Sequence, residues 1–260
     1  MEALRKIQLY ILDEVCNILE NNGLDYWLDS GTLLGARRHK GFIPWDDDID
    51  ISVHMKDYEN IINLLVEKLP NDLQVQDNGL NLMSTELAPI KIFYIPSMIE
   101  EELTGRQSHI FIDLFVYSPT KPIFIKSKFK VFLKYLIVSK SKKLSPNLTP
   151  MKRIIYNILK SLVTKKQLDN IMKKIRYSQI KSDYLAYDYL CWPAIVYHHK
   201  SEIFPLKKMV FENKYYNVPN DVDSFLTKKY GKNFMELPPI EKRKGTHIVR
   251  YEITKFPNEK

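Results

Sequence analysis

The sequence predicts a fold that mixes helices and strands, of the α/β or α+β class, and three observations support this. Residues 1–118 alternate between segments with helical periodicity and segments with strand periodicity. Most of the remaining chain has helical patterns. The 260 residues include 45% hydrophobic and 27% charged residues, which are ordinary values for a globular protein and exclude wholesale disorder.

The first elements follow from local patterns. Apolar residues recur at helical spacing over residues 2–22, which predicts an amphipathic helix that ends near Gly23. Tyr26–Leu28 is typical of a short strand. Residues 29–31 form a turn that would cap a short helix over residues 32–38.

Later elements follow in the same way. From Asp48 onwards, polar residues alternate with Ile49, Ile51 and Val53, which predicts a half-buried strand. The other predicted elements are a helix over 56–69, strands over 90–95 and 110–117, a hairpin over 206–218 and a helix over 221–230. His198 and His199 are expected on the surface, because nothing in their spacing makes them ligands.

The net charge of +8 is distributed unevenly along the chain. Residues 121–182 contain 17 Lys and Arg and a single acidic residue, a net charge of +16, whereas the rest of the chain has a net charge of −8. This asymmetry indicates a basic module that faces a partner. We therefore expect three parts: residues 1–118, a basic helical segment over 119–200 that faces an acceptor or a membrane, and a C-terminal part over 201–260.

Cysteine content and hydropathy predict a cytoplasmic protein. Cys16 and Cys191 cannot build a disulfide framework and lack the spacing of a thiolate zinc site, and they favour a reducing compartment. The N-terminus lacks the apolar block of a signal peptide. No stretch approaches the roughly 18 to 20 apolar residues that span a bilayer.

The clearest chemical signal is the stretch 43–51, in which Asp46, Asp47, Asp48 and Asp50 supply four carboxylates within five residues. Strand geometry puts Asp48 and Asp50 on one face. At a separation of ~4–6 Å, two such charges would repel by up to about 4 kcal/mol at an effective dielectric constant of roughly 20. In a half-buried strand a cation must offset that repulsion, and hard oxygen ligands favour Mg²⁺ or Mn²⁺ over zinc.

Two other interpretations of this acidic stretch were considered. A solvated acidic turn is disfavoured, because the apolar side of the same strand must be buried. A calcium-binding loop matches the aspartates in its first three ligand positions. It fails because Ile51 occupies the glycine position and Asp57 the position of the bidentate glutamate.

Glycine spacing excludes two common nucleotide-binding motifs and leaves a third type of anion site. Neither GxGxxG nor GxxxxGK[ST] occurs. Ser30, Gly31 and Thr32 instead open a short helix, and a helix N-terminus with small residues can bind an anion such as a nucleotide phosphate. Gly31 precedes Asp48 by only 17 residues, which gives this junction weight.

Asp113 is a lone carboxylate in the otherwise apolar strand over 110–117. Burial of such a group is costly unless it is paired or bound to a metal. It is either a buried aspartate satisfied by hydrogen bonds or, given the neighbouring metal pair, a third metal ligand and general base.

Together these residues resemble the LicD family of phosphocholine transferases, which also contains the fukutin-type ribitol-phosphate transferases. The first resembling stretches are WLDSGTLLGARRH at 27–39 and IPWDDDID at 43–50. The others are 91–92, 112–115, 211–213, 230–231, 237–239 and 243–247. Asn213 stands where the family pattern usually has glycine, and asparagine tolerates the same left-handed turn.

The resemblance implies an α+β fold with a nucleotidyltransferase-like catalytic core over residues 1–118, in which helices flank a small mixed sheet. The basic helical segment follows this core, and the C-terminal part over 201–260 would complete the active site. It also implies transfer of phosphocholine from CDP-choline to a hydroxyl of a cell-surface glycan precursor, of the lipopolysaccharide or teichoic-acid type, with release of CMP. Asp48 and Asp50 would hold Mg²⁺ or Mn²⁺. Asp113 would complete the site and accept the proton of the attacking hydroxyl.

The resemblance extends to substrate-binding residues. Those that would hold phosphates are Ser30, Gly31, Thr32, Arg38 and Lys91, and the alternative for Lys91 is an edge lysine that reaches solvent. Choline requires an aromatic cage, because a quaternary ammonium offers no hydrogen bonds. The candidates are Trp27, Trp45, Tyr94 and Trp192, each of which could equally be a core residue. Arg243 and His247 lie in a tail that would contact substrate or be an ordinary polar tail.

Other functions remain compatible with the sequence. The donor could be another CDP-activated alcohol such as CDP-ribitol, or the chain could be a true nucleotidyltransferase that releases pyrophosphate. Binding of nucleic acid through the basic segment would leave the acidic stretch unexplained. Within that segment an apolar stripe over 125–136 is flanked by lysines, so it either docks on the anionic inner face of the membrane, near a lipid-linked acceptor, or packs on the core.

Overall fold

The chain folds around one mixed β-sheet, which a computed structural model describes for most of the sequence. The described residues are 1–77, 88–101, 107–121, 181–187, 196–243 and 248–257, with single positions between 150 and 170. The helices in these ranges are α1 (Glu2–Asn21), α2 (Ser30–His39), α3 (Tyr58–Lys68), α4 (Lys200–Ile203) and α5 (Val222–Tyr230). Short 3₁₀ turns occupy Met55–Asp57 and Ile240–Lys242. The strands are β1 (Tyr26–Leu28), β2 (Asp50–His54), β3 (Leu73–Asp77), β4 (Ile90–Glu101), β5 (Gln107–Pro119), β6 (Tyr184–Tyr187), β7 (Tyr197–His199), β8 (Lys207–Phe211), β9 (Lys214–Val218) and β10 (Ile248–Ile253).

The parallel pair β2–β5 lies inside an otherwise antiparallel sheet. The strand order is β1–β2–β5–β4–β10, while β3 pairs with the beginning of β4 and β6 joins β7 to the end of β5. The other described pairs of this sheet run antiparallel. Strands β8 and β9 form a separate hairpin. Helices and mixed strands in this arrangement confirm an α+β fold.

Helix α1 covers the sheet with a single apolar face. The buried residues of this face recur at helical spacing and include Leu4, Ile7, Ile11, Leu12, Val15 and Leu19. They contact β4, β5 and α3. Gly23 follows the helix with a φ of +67°, a backbone conformation that glycine adopts without steric cost, so the predicted helix and its end are confirmed.

Several other predicted elements are confirmed within a few residues of their expected ends. Strand β1 and helix α5 match their predictions, and α2 begins at Ser30, two residues earlier than expected. The hairpin predicted over 206–218 consists of β8 and β9, and its turn residue Asn213 has a φ of +67°, as expected for an asparagine in the glycine position.

Strand β2 differs from the prediction in its start and in its burial. It begins at Asp50, so Asp48 lies in the loop before it. Both alternating sets of side chains are buried: Asp50 is 7% exposed and Ser52 0%, and Ile51 and Val53 on the other face are 0% exposed. Both faces of the strand are therefore covered, so the expected half-buried strand is wrong.

Four strands were not predicted, and the expectation of a mainly helical second half is wrong for its described residues. Strands β3, β6, β7 and β10 have between three and six residues each. Elements this short carry little periodicity of their own, and their conformation depends on the strand with which they pair. Strands β6 and β7 lie within the predicted 119–200 segment but continue the main sheet.

His198 is buried, so the prediction that it lies on the surface is wrong. Its side chain is 0% exposed and its ring stacks on Phe225 with centroids 3.8 Å apart. Its Nδ1 lies 3.3 Å from Glu202 Oε2. Burial lowers the pKa of His198 to about 4, against opposing contributions from Asp29 and Glu202, because the charged imidazolium is poorly solvated there.

Most of the basic segment lies outside the described residues, including the apolar stripe expected over 125–136. Three described helical positions between 150 and 170 have exposed apolar side chains: Met151, Ile154 and Ile158. None of the helices in the described part of the chain is long and apolar enough to cross a membrane.

The buried imidazole makes the stability of the fold dependent on pH. His198 has a lower pKa in the folded chain than in the unfolded chain, so its contribution is full above about pH 6.5 and is lost as the pH falls towards about 4. Between pH 7 and pH 5 we expect the free energy of unfolding to fall by about 2 kcal/mol more in the wild type than in His198→Phe, which keeps an aromatic ring against Phe225. Urea unfolding at both pH values measures this difference, and equal losses in the two proteins would contradict the assignment.

Candidate active site

The acidic loop, residues 43–48, is held in place by helix α1. The guanidinium of Arg5 donates through Nη2 to three carbonyl oxygens of the loop, those of Ile43, Pro44 and Asp46, at 2.9, 3.0 and 3.1 Å. Gln8 Nε2 donates to the carbonyl oxygen of Asp47 at 2.7 Å. The loop therefore has a fixed main chain although it contains no regular secondary structure.

Three carboxylates converge in this loop. Asp46, Asp47 and Asp48 each offer one ligand atom, and these atoms lie within 4.8 Å of one another. Asp47 Oδ2 also accepts a hydrogen bond from the main-chain nitrogen of Ile248, which ties the loop to β10. The segment is not a calcium-binding loop, because its would-be fifth position, Asp50, opens a strand instead of continuing the loop.

The parallel pairing of β2 and β5 brings the remaining two acids together. Asp50 and Asp113 are register partners at the start of this ladder. The main-chain nitrogen of Asp113 donates to the carbonyl oxygen of Ile49 at 2.9 Å, and that of Asp50 donates to Thr32 Oγ1 at 2.8 Å. Asp50 and Asp113, which were predicted on two separate strands, therefore occupy adjacent positions where β2 begins to pair with β5.

The carboxylates of this site oppose one another's ionisation. Burial, followed by the negative charge of Asp48, raises the pKa of Asp46 to about 8. Burial, then Asp48 and Asp113, raises the pKa of Asp50 well above its usual value. Clustered oxygen donors whose ionised forms are destabilised in this way fit a hard divalent cation, which would remove the repulsion.

The N-terminus of α2 lies directly against the acidic loop. An added Cβ at Gly31 would meet Asp46 Oδ2 at 2.6 Å, so only glycine allows the carboxylate to approach this closely. Ser30 has a φ of +48° and its main-chain nitrogen donates to Asp29 Oδ1. Thr32 is buried, and its hydroxyl accepts the hydrogen bond from Asp50 described above. The structure thus brings the predicted phosphate-binding turn to the predicted metal site.

A buried ion pair at the same helix terminus was not predicted. Asp29 is 0% exposed, and its Oδ1 accepts from Lys229 Nζ at 2.7 Å. Its Oδ2 accepts from Ser52 Oγ at 2.6 Å. Although burial acts to raise the pKa of Asp29, the ammonium of Lys229 and these hydrogen bonds hold it below the usual value.

Lys91 is buried beside Asp113 and does not reach solvent. Its Nζ lies 2.7 Å from Asp113 Oδ1, and the side chains of the two residues are 8% and 13% exposed. The same ammonium lies over the ring of Phe111, 3.6 Å from its centroid. The alternative of a solvent-reaching edge lysine is therefore wrong, and Lys91 is a positive charge inside the acidic site.

Arg38 and Arg243 lie near the loop with their main hydrogen bonds made to backbone. Arg38 Nη1 donates to the carbonyl oxygens of Phe234 and Glu236 at 3.3 and 3.2 Å. Arg243 Nε donates to the carbonyl oxygen of Pro238 at 2.8 Å, and its guanidinium carbon lies 5.4 Å from the ring centroid of Trp45. His247, the other predicted tail residue, lies outside the described residues.

Two of the four aromatic candidates for choline binding are core residues. Trp27 is 0% exposed and packs edge-on against Tyr117 and Phe204. Tyr94 is 1% exposed, and its hydroxyl donates to the carbonyl oxygen of Lys255. Neither ring has a surface available to a ligand, which corrects their assignment as cage residues. Trp192 lies outside the described residues. Trp45 is partly exposed in the acidic loop.

Tyr230 is a further residue of the site to which the sequence assigned no role. Burial of its hydroxyl, followed by the negative charges of Asp50, Asp29, Asp46 and Asp48, raises its pKa well above the usual value. Tyr230 is the last residue of α5 and is 45% exposed as a whole.

The family assignment follows from comparison with known proteins. The model of the family described as LicD/FKTN/FKRP, nucleotidyltransferase domain, matches residues 23–156, which include the acidic loop, the turn at Ser30 and Asp113. The chain belongs to this family. The resemblance seen in the sequence is thereby confirmed, and the α+β fold described above is consistent with a nucleotidyltransferase-like core.

The relatives of this LicD-family chain include named phosphotransferases. It is 31% identical over 251 residues to "Lipopolysaccharide cholinephosphotransferase LicD" of Haemophilus influenzae, an alignment that covers 92% of this chain and 93% of that protein. It is 42% identical over 60 residues to human "Ribitol 5-phosphate transferase FKRP", 23% of this chain and 11% of that protein. It is 36% identical over 62 residues to human "Ribitol-5-phosphate transferase FKTN", 24% and 13% of the two chains. Phosphate-linked alcohols are thus the groups that the named relatives transfer.

The contact between Gly31 and Asp46 leads to a prediction for metal binding. In Gly31→Ala the new methyl group must displace the Asp46 carboxylate, and we expect Mn²⁺ affinity to fall about tenfold or more. Isothermal titration with Mn²⁺ measures the change. Gly23→Ala is the matched control, because its strained φ reduces stability at a site remote from the loop and leaves Mn²⁺ affinity unchanged. Equal affinities for wild type and Gly31→Ala would contradict the prediction.

Proposed function

We propose that this chain transfers phosphocholine from CDP-choline to a hydroxyl of a cell-surface glycan precursor and releases CMP in a metal-dependent reaction. The observation that carries this proposal is the similarity to the Haemophilus influenzae cholinephosphotransferase, which extends over nearly the whole length of both chains. Because that relative is named as a lipopolysaccharide cholinephosphotransferase, an acceptor of the lipopolysaccharide type is the first to test, with a teichoic acid as the alternative.

The proposed cofactor is Mg²⁺ or Mn²⁺, held by Asp48, Asp50 and Asp113. Support comes from the pairing of Asp50 with Asp113 in the β2–β5 ladder and from the unfavourable ionisation of Asp50. The carboxylates whose ligand atoms lie closest together among the described residues are Asp46, Asp47 and Asp48, a group that shares Asp48 with the proposed set. A bound divalent ion would neutralise charge on the diphosphate of the donor. The ligands come from the acidic loop and from both strands of the parallel pair, so the main-chain bonds of β2 and β5 set their relative positions.

The chemical step is displacement at the phosphorus atom that carries choline. The acceptor oxygen forms a bond to this phosphorus, and the bond to the bridging oxygen of CMP breaks. Asp113 is the proposed acceptor of the hydroxyl proton, and the ammonium of Lys91, 2.7 Å from its Oδ1, stabilises its ionised form before attack. Ser30, Gly31 and Arg38 are the proposed contacts of the donor phosphates, while Thr32 acts through its bond to Asp50.

Recognition of choline rests on fewer aromatic groups than the sequence indicated. Of the described candidates, Trp45 has exposed surface near the acidic loop. Arg243 lies over its ring, so a quaternary ammonium would have to replace this guanidinium or use another face. Because the Arg243 guanidinium and a quaternary ammonium would compete for the face of Trp45, we propose that the 238–243 segment takes part in substrate binding.

One alternative donor has direct support. The similarity to two ribitol 5-phosphate transferases, although limited to about a quarter of this chain, favours CDP-ribitol as the second candidate. A true nucleotidyltransferase reaction with CTP is the third. Binding of nucleic acid is not proposed, because the basic segment alone would support it and the acidic site would have no role.

We also propose that the chain acts in the cytoplasm, at the inner face of a membrane that carries its acceptor. The net charge of +16 over residues 121–182 supports attraction to anionic lipid. Within that segment Met151, Ile154 and Ile158 are 73%, 61% and 55% exposed, at the i, i+3 and i+7 spacing of one helix face.

A donor assay tests the chemistry. With Mg²⁺ and a lipopolysaccharide-type acceptor, we expect release of CMP from CDP-choline and little turnover of CDP-ribitol or CTP. Asp48→Asn and Asp50→Asn should abolish turnover without unfolding the chain, because the replacements are nearly isosteric and remove only the charge that a cation requires. Asp25→Asn is the matched control, since it removes a carboxylate from the turn before β1, outside the site. CMP from CDP-ribitol alone, or pyrophosphate from CTP, would replace the proposed reaction with one of the alternatives.

Sedimentation with vesicles tests the membrane contact. At low salt we expect binding to vesicles that contain anionic phospholipid and none to neutral vesicles, with binding lost in Ile154→Ser/Ile158→Ser. Ile240→Ser, which removes an even more exposed apolar side chain outside the 121–182 segment, should bind like the wild type. A wild-type chain that stays in the supernatant with anionic vesicles would contradict the proposal.

A further inference from the structure

The buried carboxylate of Asp29 connects four elements around the site. It ends β1 and caps α2, with Oδ1 accepting from the main-chain nitrogen of Ser30 at 2.6 Å. Its Oδ2 accepts from Ser52 Oγ on β2. Its main-chain nitrogen donates to the carbonyl oxygen of Asp50 at 3.0 Å. Asp29 is thus bonded to the strand that carries a proposed metal ligand and to the helix turn beside it.

Hydrogen bonds hold both main-chain polar groups of Asp50. Its nitrogen donates to Thr32 Oγ1 and its carbonyl oxygen accepts from Asp29, so the first turn of α2 and its cap residue determine where β2 starts. The direction of the Asp50 carboxylate follows from that start, because alternate side chains of a strand point to opposite faces.

The charge of Asp29 is balanced from a distant part of the sequence. Lys229, in the last turn of α5, lies 2.7 Å from Asp29 Oδ1 and donates to Ser30 Oγ at the same distance. Its side chain is 24% exposed, whereas that of Asp29 is fully buried. A buried carboxylate that loses its partner is strongly unfavourable, so Asp29 can keep this position as an anion only while the ammonium is present.

Helix α5 is anchored so that Lys229 reaches this position. Near its start Asp223 receives two hydrogen bonds from Arg37 of α2, at 2.8 and 3.2 Å. Near its end Lys229 binds the cap of the same helix. The two contacts align α5 along α2 and bring the ammonium to the N-terminal end, next to the acidic loop.

We propose that Lys229 is a positioning residue for Asp50, which acts by neutralising Asp29 and so fixes the start of β2. The inference rests on the proposed function, since it concerns the same metal site. Lys229 is two hydrogen bonds away from Asp50, with Asp29 between them. Partners outside the direct ligands orient a metal ligand and influence affinity and turnover. The role differs from direct contact with the donor, which would require Lys229 itself to bind phosphate.

Four variants test the proposal. In Lys229→Met we expect Mn²⁺ affinity and kcat each to fall about tenfold to a hundredfold, with a donor KM within about twofold of wild type. Lys229→Arg should recover most of both quantities, because the guanidinium keeps the charge. The double variant Asp29→Asn/Lys229→Met should have a higher Mn²⁺ affinity and a higher kcat than Lys229→Met, because no unpaired buried charge remains. It also keeps the test valid if the single variant folds poorly. Lys228→Met is the matched control, since the neighbouring lysine pairs with Glu202 and should leave both quantities unchanged.

The outcomes separate this inference from the proposed function. Wild-type Mn²⁺ affinity and kcat in Lys229→Met would overturn the positioning role, as would a loss confined to the donor KM, which would indicate direct phosphate binding. If the wild type turned over no CDP-activated alcohol, the proposed function would fail, while a Mn²⁺ affinity that depends on Lys229 would still support the positioning role. A wild-type chain that binds no Mn²⁺ would overturn both.

Discussion

The parallel pairing of β2 with β5 is the constraint on which the site depends. Its register puts Asp50 directly beside Asp113, and the loop that leads into β2 adds Asp46 and Asp48 on the same end. Burial, and after it the negative charges of Asp48 and Asp113, raises the pKa of Asp50 well above its usual value. The fold therefore holds these carboxylates together against their mutual repulsion, which is what a site for a multivalent cation requires.

Side chains outside the cluster hold the carboxylates in place against this repulsion. Arg5 and Gln8 bind the main chain of the acidic loop and leave its carboxylate groups to face the site. Two lysines add positive charge: Lys91 of β4 pairs with Asp113, and Lys229 of α5 pairs with Asp29. Asp113 belongs to the proposed ligand set and Asp29 does not, and at both positions the ammonium offsets part of the negative charge that the fold brings together.

The difference between what could and could not be predicted from the sequence follows from the range of the interactions. The acidic stretch, the turn at Ser30 and the lone Asp113 were found because a few adjacent residues define each of them. Lys229 could not be found in this way, because its partner Asp29 is 200 residues away and the surrounding helix pattern is ordinary. The burial of His198 was missed for the same reason: its stacking partner Phe225 belongs to another element. Strand β10 has few local signals and is defined by its pairing with β4.

The comparisons separate two parts of the chemistry. The alignment with the ribitol 5-phosphate transferase FKRP extends over 60 residues, whereas that with the cholinephosphotransferase extends over 251. Both kinds of enzyme must bind a phosphate and position a hydroxyl, so we expect the short common stretch to serve this shared chemistry and residues outside it to select the alcohol. In this chain the two aromatic candidates within the sheet, Trp27 and Tyr94, are buried, so under the proposed function a quaternary ammonium would be recognised by a partly exposed aromatic group of the acidic loop, Trp45.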